Sequence, residues 1–439
     1  MSATLLDVDA VRARFGALDR RLAFFDGPGG TQCPDEVIDA IARYLREDNA
    51  NVGAPYETSR RTDEVVAVAH ERAAAFLGCD PGEVAFGQSM CAIPPNLPVD
   101  PRGVNTPPGA GPYYISSKEK GSQIVLRKNP YYGGTRRQNW DLIRVVVEMG
   151  EQASYLQVRK GEADIDLYSL PTASHAQLTK EFGINKSRYF VHPSNSIGYF
   201  ALNTSRGFFK DPKARQAVAY AVNRPAITRL AGLNAGTPNE QILPPGIPGF
   251  RNAPVYPLDR PNVEKAKALL GGRTAKVVMY TTNDPLGINT GQMLQANLKA
   301  IGIDVQVKPL TFAVLIDKSG TRGEPVDITS IGWFADYPDP YDFINILLDG
   351  RTIAAKNNVN VSYFDNPTYQ KRMDSAAKLA GDARYRAYGT LDIDITRNQS
   401  PLVITNNQNV REFISSKIGC PTYSFAWGGL NLVMLCPKR

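Results

Sequence analysis

Apolar positions along this chain recur with two periods, and the switches between them lay out its elements. Pro34 opens a helix whose apolar positions Val37, Ile38, Ile41 and Leu45 share one face. A second helix is predicted from about Thr62 to Leu77, stopped by Gly78, and Glu83–Phe86 reads as a short strand. Past a proline-rich stretch from Pro94 to Pro108, SQIVLRKN (Ser122–Asn129) and LIRVVVE (Leu142–Glu148) read as strands. A helix around Glu151–Lys160 and a short strand in GEADIDL (Gly161–Leu167) follow. Asp211 and Pro212 make a good helix start, with Val218, Ala221 and Val222 facing inward. Further on, AKVVMY (Ala275–Tyr280), a helix carrying Met293, Leu294, Leu298 and Ile301, and IDVQVK (Ile303–Lys308) form a β-α-β pattern. The apolar run VDITSIGWF (Val326–Phe334) adds another strand, so an α/β lobe is predicted at about 258–391. In such sheets ligands bind near the carboxyl ends of the strands.

Composition alters this picture at the front of the chain. The 439 residues are 43% hydrophobic and 21% charged, which fits a folded globular protein of two or three domains. No run reaches the length of a membrane-spanning helix. The first residues, MSATLLDVDAVRARF, have no basic region followed by an apolar core, so no secretory signal is read there and a cytoplasmic location stays open. Residues 1–90 hold 9 Arg, no Lys and 15 Asp and Glu, a net of −6, while the remainder carries +13. The positive surplus is spread out and no RNA motif or basic helix stands out, so no nucleic-acid partner is expected. Of the five cysteines none forms a CxxC pair, and His70, His175 and His192 are scattered, so no metal or catalytic histidine is expected. Cys420 and Cys436 flank a strand-like aromatic stretch; they suit a disulfide if the chain is exported and two buried thiols if it is not.

Two family resemblances follow from motifs in order. FFDGPGGTQCP (Phe24–Pro34), NANVGAPYETSRRTDE (Asn49–Glu64) and AAAFLGCDPGEVAFGQSM (Ala73–Met90) resemble the N-terminus of class V aminotransferases of the cysteine-desulfurase-like group. Those enzymes use pyridoxal phosphate, and the resemblance implies a Schiff-base lysine far downstream of the match. Residues 1–90 contain no lysine, so neither the cofactor nor the activity is expected. From Ala92 to about Pro437 the chain resembles family 5 extracellular solute-binding proteins of peptide and nickel ABC importers. The motifs are GAGPYYI, RKNPYYGG, GEADIDL, YFALNTSRGFFKDPKARQAVAYAVNRPAI (Tyr199–Ile227), LPPGIPGF (Leu243–Phe250) and VEKAKALL (Val263–Leu270). Asn223 stands where the family usually has Asp.

This second resemblance implies α/β lobes of the periplasmic-binding-protein type II kind, incomplete and preceded by a mainly helical N-terminal fragment. It also implies a non-catalytic, monomeric, extracytoplasmic binding component without cofactor, carrying a small peptide or similar solute to an ABC permease. In oligopeptide-binding members the acid at the position of Asp336, in GWFADYPDPYDF (Gly332–Phe343), holds the peptide's ammonium group. Trp333, Phe334 and Tyr337 would then wall the site. The competing reading is a turn made by Asp339-Pro340 with the aromatics in the core. Family members begin with a lipoprotein signal and the first strands of the large lobe, and neither is recognised here. Residues 91–439 are therefore expected to be the C-terminal part of such a protein, joined at Met90/Cys91 to a foreign fragment 1–90 and impaired in binding. A pyridoxal-phosphate aminotransferase or desulfurase, and a non-functional fusion of two gene fragments, are the alternatives.

Overall fold

The structure, a computed structural model, describes residues 7–15, 34–47, 57–77, 80–81, 111–119, 123–147, 149–167, 170–424 and 428–438. The expected strand Glu83–Phe86, the join at Met90/Cys91, the proline-rich stretch and Cys33, Cys79 and Cys91 lie outside these residues. The chain divides into two compact units, 1–149 and 150–439.

The first unit holds helices α1 (Val8–Arg12), α2 (Asp35–Glu47) and α3 (Glu57–Leu77) and strands β1 (Tyr113–Glu119), β2 (Gln123–Lys128) and β3 (Leu142–Val146). The strands form an antiparallel meander in the order β1-β2-β3. Helix α3 starts five residues before the expected Thr62, because Thr62 is an interior residue whose hydroxyl donates to the Thr58 carbonyl. Val37, Ile38, Ile41 and Leu45 on α2 are exposed.

The second unit opens with α4 (Glu151–Lys160), on the expected residues and closed by Gly161 in the left-handed conformation. The strand expected in Gly161–Leu167 is not formed. Only Ile165 makes a bridge, to Ile414, because the neighbouring strand has already ended at Phe413. Then come α5 (Ser174–Phe182), β4 (Tyr189–Pro193), β5 (Ser196–Leu202), α6 (Pro212–Ala221), α7 (Arg224–Leu230) and β6 (Gly236–Pro238). They are followed by α8 (Val263–Leu270), β7 (Ala275–Thr282), α9 (Pro285–Lys299), β8 (Ile303–Leu310), α10 (Phe312–Ser319) and β9 (Ile328–Phe334). Helices α11 (Tyr341–Leu348), α12 (Pro367–Ala377) and α13 (Gly381–Asn398) lead to β10 (Leu402–Phe413) and the short pairs β11 (Ile418–Gly419) with β14 (Cys436–Pro437) and β12 (Tyr423–Ser424) with β13 (Gly429–Leu430). Asp211 caps α6 through the Lys213 N–H with Pro212 behind it, and Asn223 caps α7 through the Ala226 N–H.

One seven-stranded sheet runs β4-β10-β5-β9-β7-β8, with β6 on the other edge of β10. The predicted β-α-β unit is present: β7 and β8 are parallel around α9, and β9 is parallel to β7. Every residue of β5 is buried, and its alternation feeds two cores. Phe200 and Leu202 join Val277, Met279 and Val305 under α6, α8 and α9, while Ile197, Tyr199 and Ala201 join Phe343, Leu347 and Tyr388 under α11 and α13. A third, smaller core of Tyr155, Val158, Leu178, Tyr189 and Phe413 sits at the far end of β10. Strand β10 thus serves both ends: Leu402–Asn406 pairs with β5 and Asn409–Phe413 with β4.

Candidate functional site

The parallel strands β9, β7 and β8 end on one side of the sheet, and there β9 parts from β7. Their pairing covers Met279↔Ile328 and Tyr280↔Thr329, whereas β5 follows β9 along its whole length, to Ser196↔Phe334. From Ser330 to Phe334 no strand pairs with the β7 side of β9 among the described residues. A strand edge of this kind presents backbone N–H and C=O groups outward. Gly332 lets the backbones approach here, since a Cβ would meet the Ile197 carbonyl oxygen at 3.1 Å.

The chain then turns through Asp336–Pro340 into α11. The turn is built locally: the Asp339 N–H donates to the Tyr337 carbonyl at 2.8 Å, and the Tyr341 N–H donates to the Asp339 carboxylate at 2.8 Å. Arg384 of α13 clamps the same carboxylate with Nη2 at 2.8 Å and Nε at 3.1 Å. This forked contact gives the turn a rigid base.

Asp336 stands exposed on this turn, and its carboxylate has no hydrogen bond or ion pair among the described residues. Trp333 is half-buried and packs against the core that contains Phe343, on the same strand face as Ile331 and Ala335. Phe334 points to the opposite face and is 57% exposed; Tyr337 is also exposed. The structure therefore brings Trp333, Asp336 and Tyr337 to the end of β9 but sets Phe334 across the sheet from Trp333.

A residue not foreseen from sequence lies beneath them. Asp342, in the first turn of α11, is fully buried. Its Oδ2 accepts the Asp336 backbone N–H at 2.9 Å and the Trp333 indole N–H at 3.3 Å. Burial pushes its carboxyl up to about 6, against those two hydrogen bonds and with help from the charges of Asp336 and Asp339. Its Oδ1 has no partner among the described residues.

Elsewhere, Cys420 and Cys436 form a disulfide, with Cα atoms 5.4 Å apart. His175 and His192 are separate: His175 is buried against the Tyr189 hydroxyl and His192 stacks on Tyr423. Among the described residues no group of three His, Cys, Asp or Glu is placed to hold a metal, and no helix is long and apolar enough to cross a membrane.

The family model described as bacterial extracellular solute-binding proteins, family 5 Middle, matches residues 35–355. The probable D,D-dipeptide-binding periplasmic protein DdpA of Escherichia coli K12 is 29% identical over 61% of this chain and 51% of its own length. The periplasmic oligopeptide-binding protein OppA of Salmonella typhimurium is 26% identical over 62% of this chain and 50% of its own. The chain spans about half the length of the curated relatives it matches. Among solved structures, clavulanic acid biosynthesis oligopeptide binding protein 2 superposes with a TM-score of 0.69 at 20% identity, covering 75% of this chain and 63% of that one. The periplasmic binding protein DppA from Helicobacter pylori, in complex with the peptide STSA, gives 0.65 at 22% identity, with the same coverage. These likenesses show a shared mixed α/β fold.

Proposed function

The chain belongs to the bacterial extracellular solute-binding proteins of family 5, and from that premise we propose that it is a non-catalytic binding component for a short peptide or similar ammonium-bearing solute. The observation that carries this reading is the end of β9, where an unpaired strand edge leads to an exposed, unpartnered Asp336 carboxylate. An extended peptide adds to such an edge through its main chain, at about 4.8 Å from the strand. Its amino-terminal ammonium would then meet Asp336, with Trp333 and Tyr337 as apolar neighbours. Delivery to an ABC-type permease, by a monomer, is the corresponding role. The peptide-binding names of its relatives support the solute class, and the Cys420–Cys436 disulfide supports an oxidising, extracytoplasmic location.

Residues 1–90 enter this proposal as a segment of separate origin, supported by their lack of lysine and their opposite charge. The family match, which begins at residue 35, weighs against it. A DNA read across the codons of Met90 and Cys91 decides that point.

Calorimetry with an equimolar random tripeptide mixture tests the main reading. Asp336→Asn and N-acetylation of the peptides are each expected to weaken binding about tenfold, or ~1.4 kcal/mol, in line with loss of a charge-assisted hydrogen bond. Equal affinity for free and acetylated peptides would refute the role given to Asp336.

A further inference from the structure

Asp342 is out of reach of any solute, yet both groups it holds belong to the site. We propose that Asp342 is the positioning residue of the binding loop: one of its buried oxygens, Oδ2, ties the Asp336 backbone to the Trp333 ring, so that carboxylate and indole are presented as one rigid pair. This rests on the reading of Asp336 as the ammonium partner.

The geometry supports it in three ways. First, the two donors come from different places, one from the strand β9 and one from the turn after it, and they converge on the same Oδ2. Without that acceptor, the Trp333 ring and the Asp336 backbone have no hydrogen bond in common. Second, the carboxylate is itself fixed. The Asp342 N–H donates to the Asp339 carbonyl at 3.2 Å, and Asp339 is clamped by Arg384, so the chain of contacts runs back to α13. Third, the site is costly in isolation. A carboxylate sealed from water with one oxygen unpaired, beside Asp336 and Asp339, opposes folding rather than aiding it. An apolar residue would fill the same volume without that penalty, but would leave both N–H groups without an acceptor.

Two substitutions separate positioning from charge and bulk. Asp342→Asn keeps an oxygen able to accept both N–H groups, and Asp342→Ala keeps none. With the tripeptide mixture, Asp342→Asn is expected to bind within about threefold of the unaltered protein and Asp342→Ala at least about tenfold more weakly. Both should retain the far-ultraviolet circular dichroism of the unaltered chain; if Asp342→Ala does not fold, the near-isosteric Asp342→Leu takes its place.

A second readout needs no ligand. In ¹⁵N-labelled protein the Trp333 indole N–H, assigned through Trp333→Phe, should exchange slowly with solvent in the unaltered and Asn forms. It should exchange at least about tenfold faster in the Ala form. An Ala variant that keeps the slow exchange, or that keeps full affinity, overturns the proposal, as does an Asn variant that weakens as far as Ala. If the unaltered protein does not distinguish free from acetylated peptides, the reading of Asp336 fails instead, and indole exchange alone then upholds or overturns the tie.

Discussion

Asp392 lies wholly inside the protein and accepts the backbone N–H groups of Ile242 and Leu243, pinning the LPPGIPGF loop to α13. Burial pushes its carboxyl up to about 7, against those hydrogen bonds. A raised carboxyl pKa favours the folded state while the group is neutral. Its contribution is therefore full below about pH 4 and is lost as pH rises through about 7. The whole swing is on the order of 4 kcal/mol at most. His175 acts on the other side: burial lowers it to about 4, so its contribution is full above about pH 6.5 and is lost as pH falls through 4. Thermal melts of Asp392→Asn should show a variant clearly weaker than the unaltered protein at pH 5, with the gap narrowing by pH 8. A gap that stays constant would show that Asp392 does not titrate in this range. Comparing the two proteins at each pH cancels Asp342 and Glu412, whose carboxyls are also pushed up, but not Glu240, whose carboxyl is pushed up by burial and whose charge acts on Asp392 itself.

At the scale of elements, the turn from β7 into α9 is set by close approach. Gly287 lies in the first turn of α9, where the Asp284 carboxylate accepts its N–H, and a Cβ there would fall inside contact distance of the Thr282 carbonyl oxygen. Helix propensity alone favours alanine at such a position by up to about 1 kcal/mol. A backbone clash costs about 1–3 kcal/mol and wins, so Gly287→Ala should lower the denaturant midpoint. An unchanged or raised midpoint would mean that α9 can slide outward. This β-α-β unit was legible in the sequence because Val277, Met279, Val305 and Leu294 follow the periods of strand and helix around one core. Strand β10 was not, because ITNNQN reads as a polar loop. In the structure Thr405, Asn406 and Asn407 are buried, and two of them bond the neighbouring backbone: the Thr405 hydroxyl donates to the Gly198 carbonyl, and the Asn407 amide donates to the Ser196 carbonyl. The place of Asp336, exposed just past the end of β9, could be read from GWFADYPDPYDF. Asp342 could not, since an acid in the first turn of a helix ordinarily complements the helix dipole and signals nothing more.

For the molecule as a whole, the C-terminal segment is held by one covalent link and a few polar contacts. The Cys420–Cys436 disulfide closes a loop in which the Leu430 N–H donates to the Glu412 carboxylate and the Tyr423 hydroxyl donates to the Pro193 carbonyl. Closing a loop of this length is worth roughly 3 kcal/mol in chain entropy. Dithiothreitol should therefore lower the melting temperature and speed amide exchange at Leu430, and a melt indifferent to reductant would deny the link any such weight. The seating of β10 between distant parts of the chain has a further consequence, for synthesis. Thr405 is 207 residues from its partner Gly198, a span that takes a ribosome about 10–40 seconds to add. Throughout that interval β5, every residue of which is buried in the finished protein, has emerged while the strand that covers one of its edges has not been made. A nascent chain halted short of Leu402 carries a sticky, half-finished sheet, and the yield of folded protein depends on what shields β5 until β10 arrives.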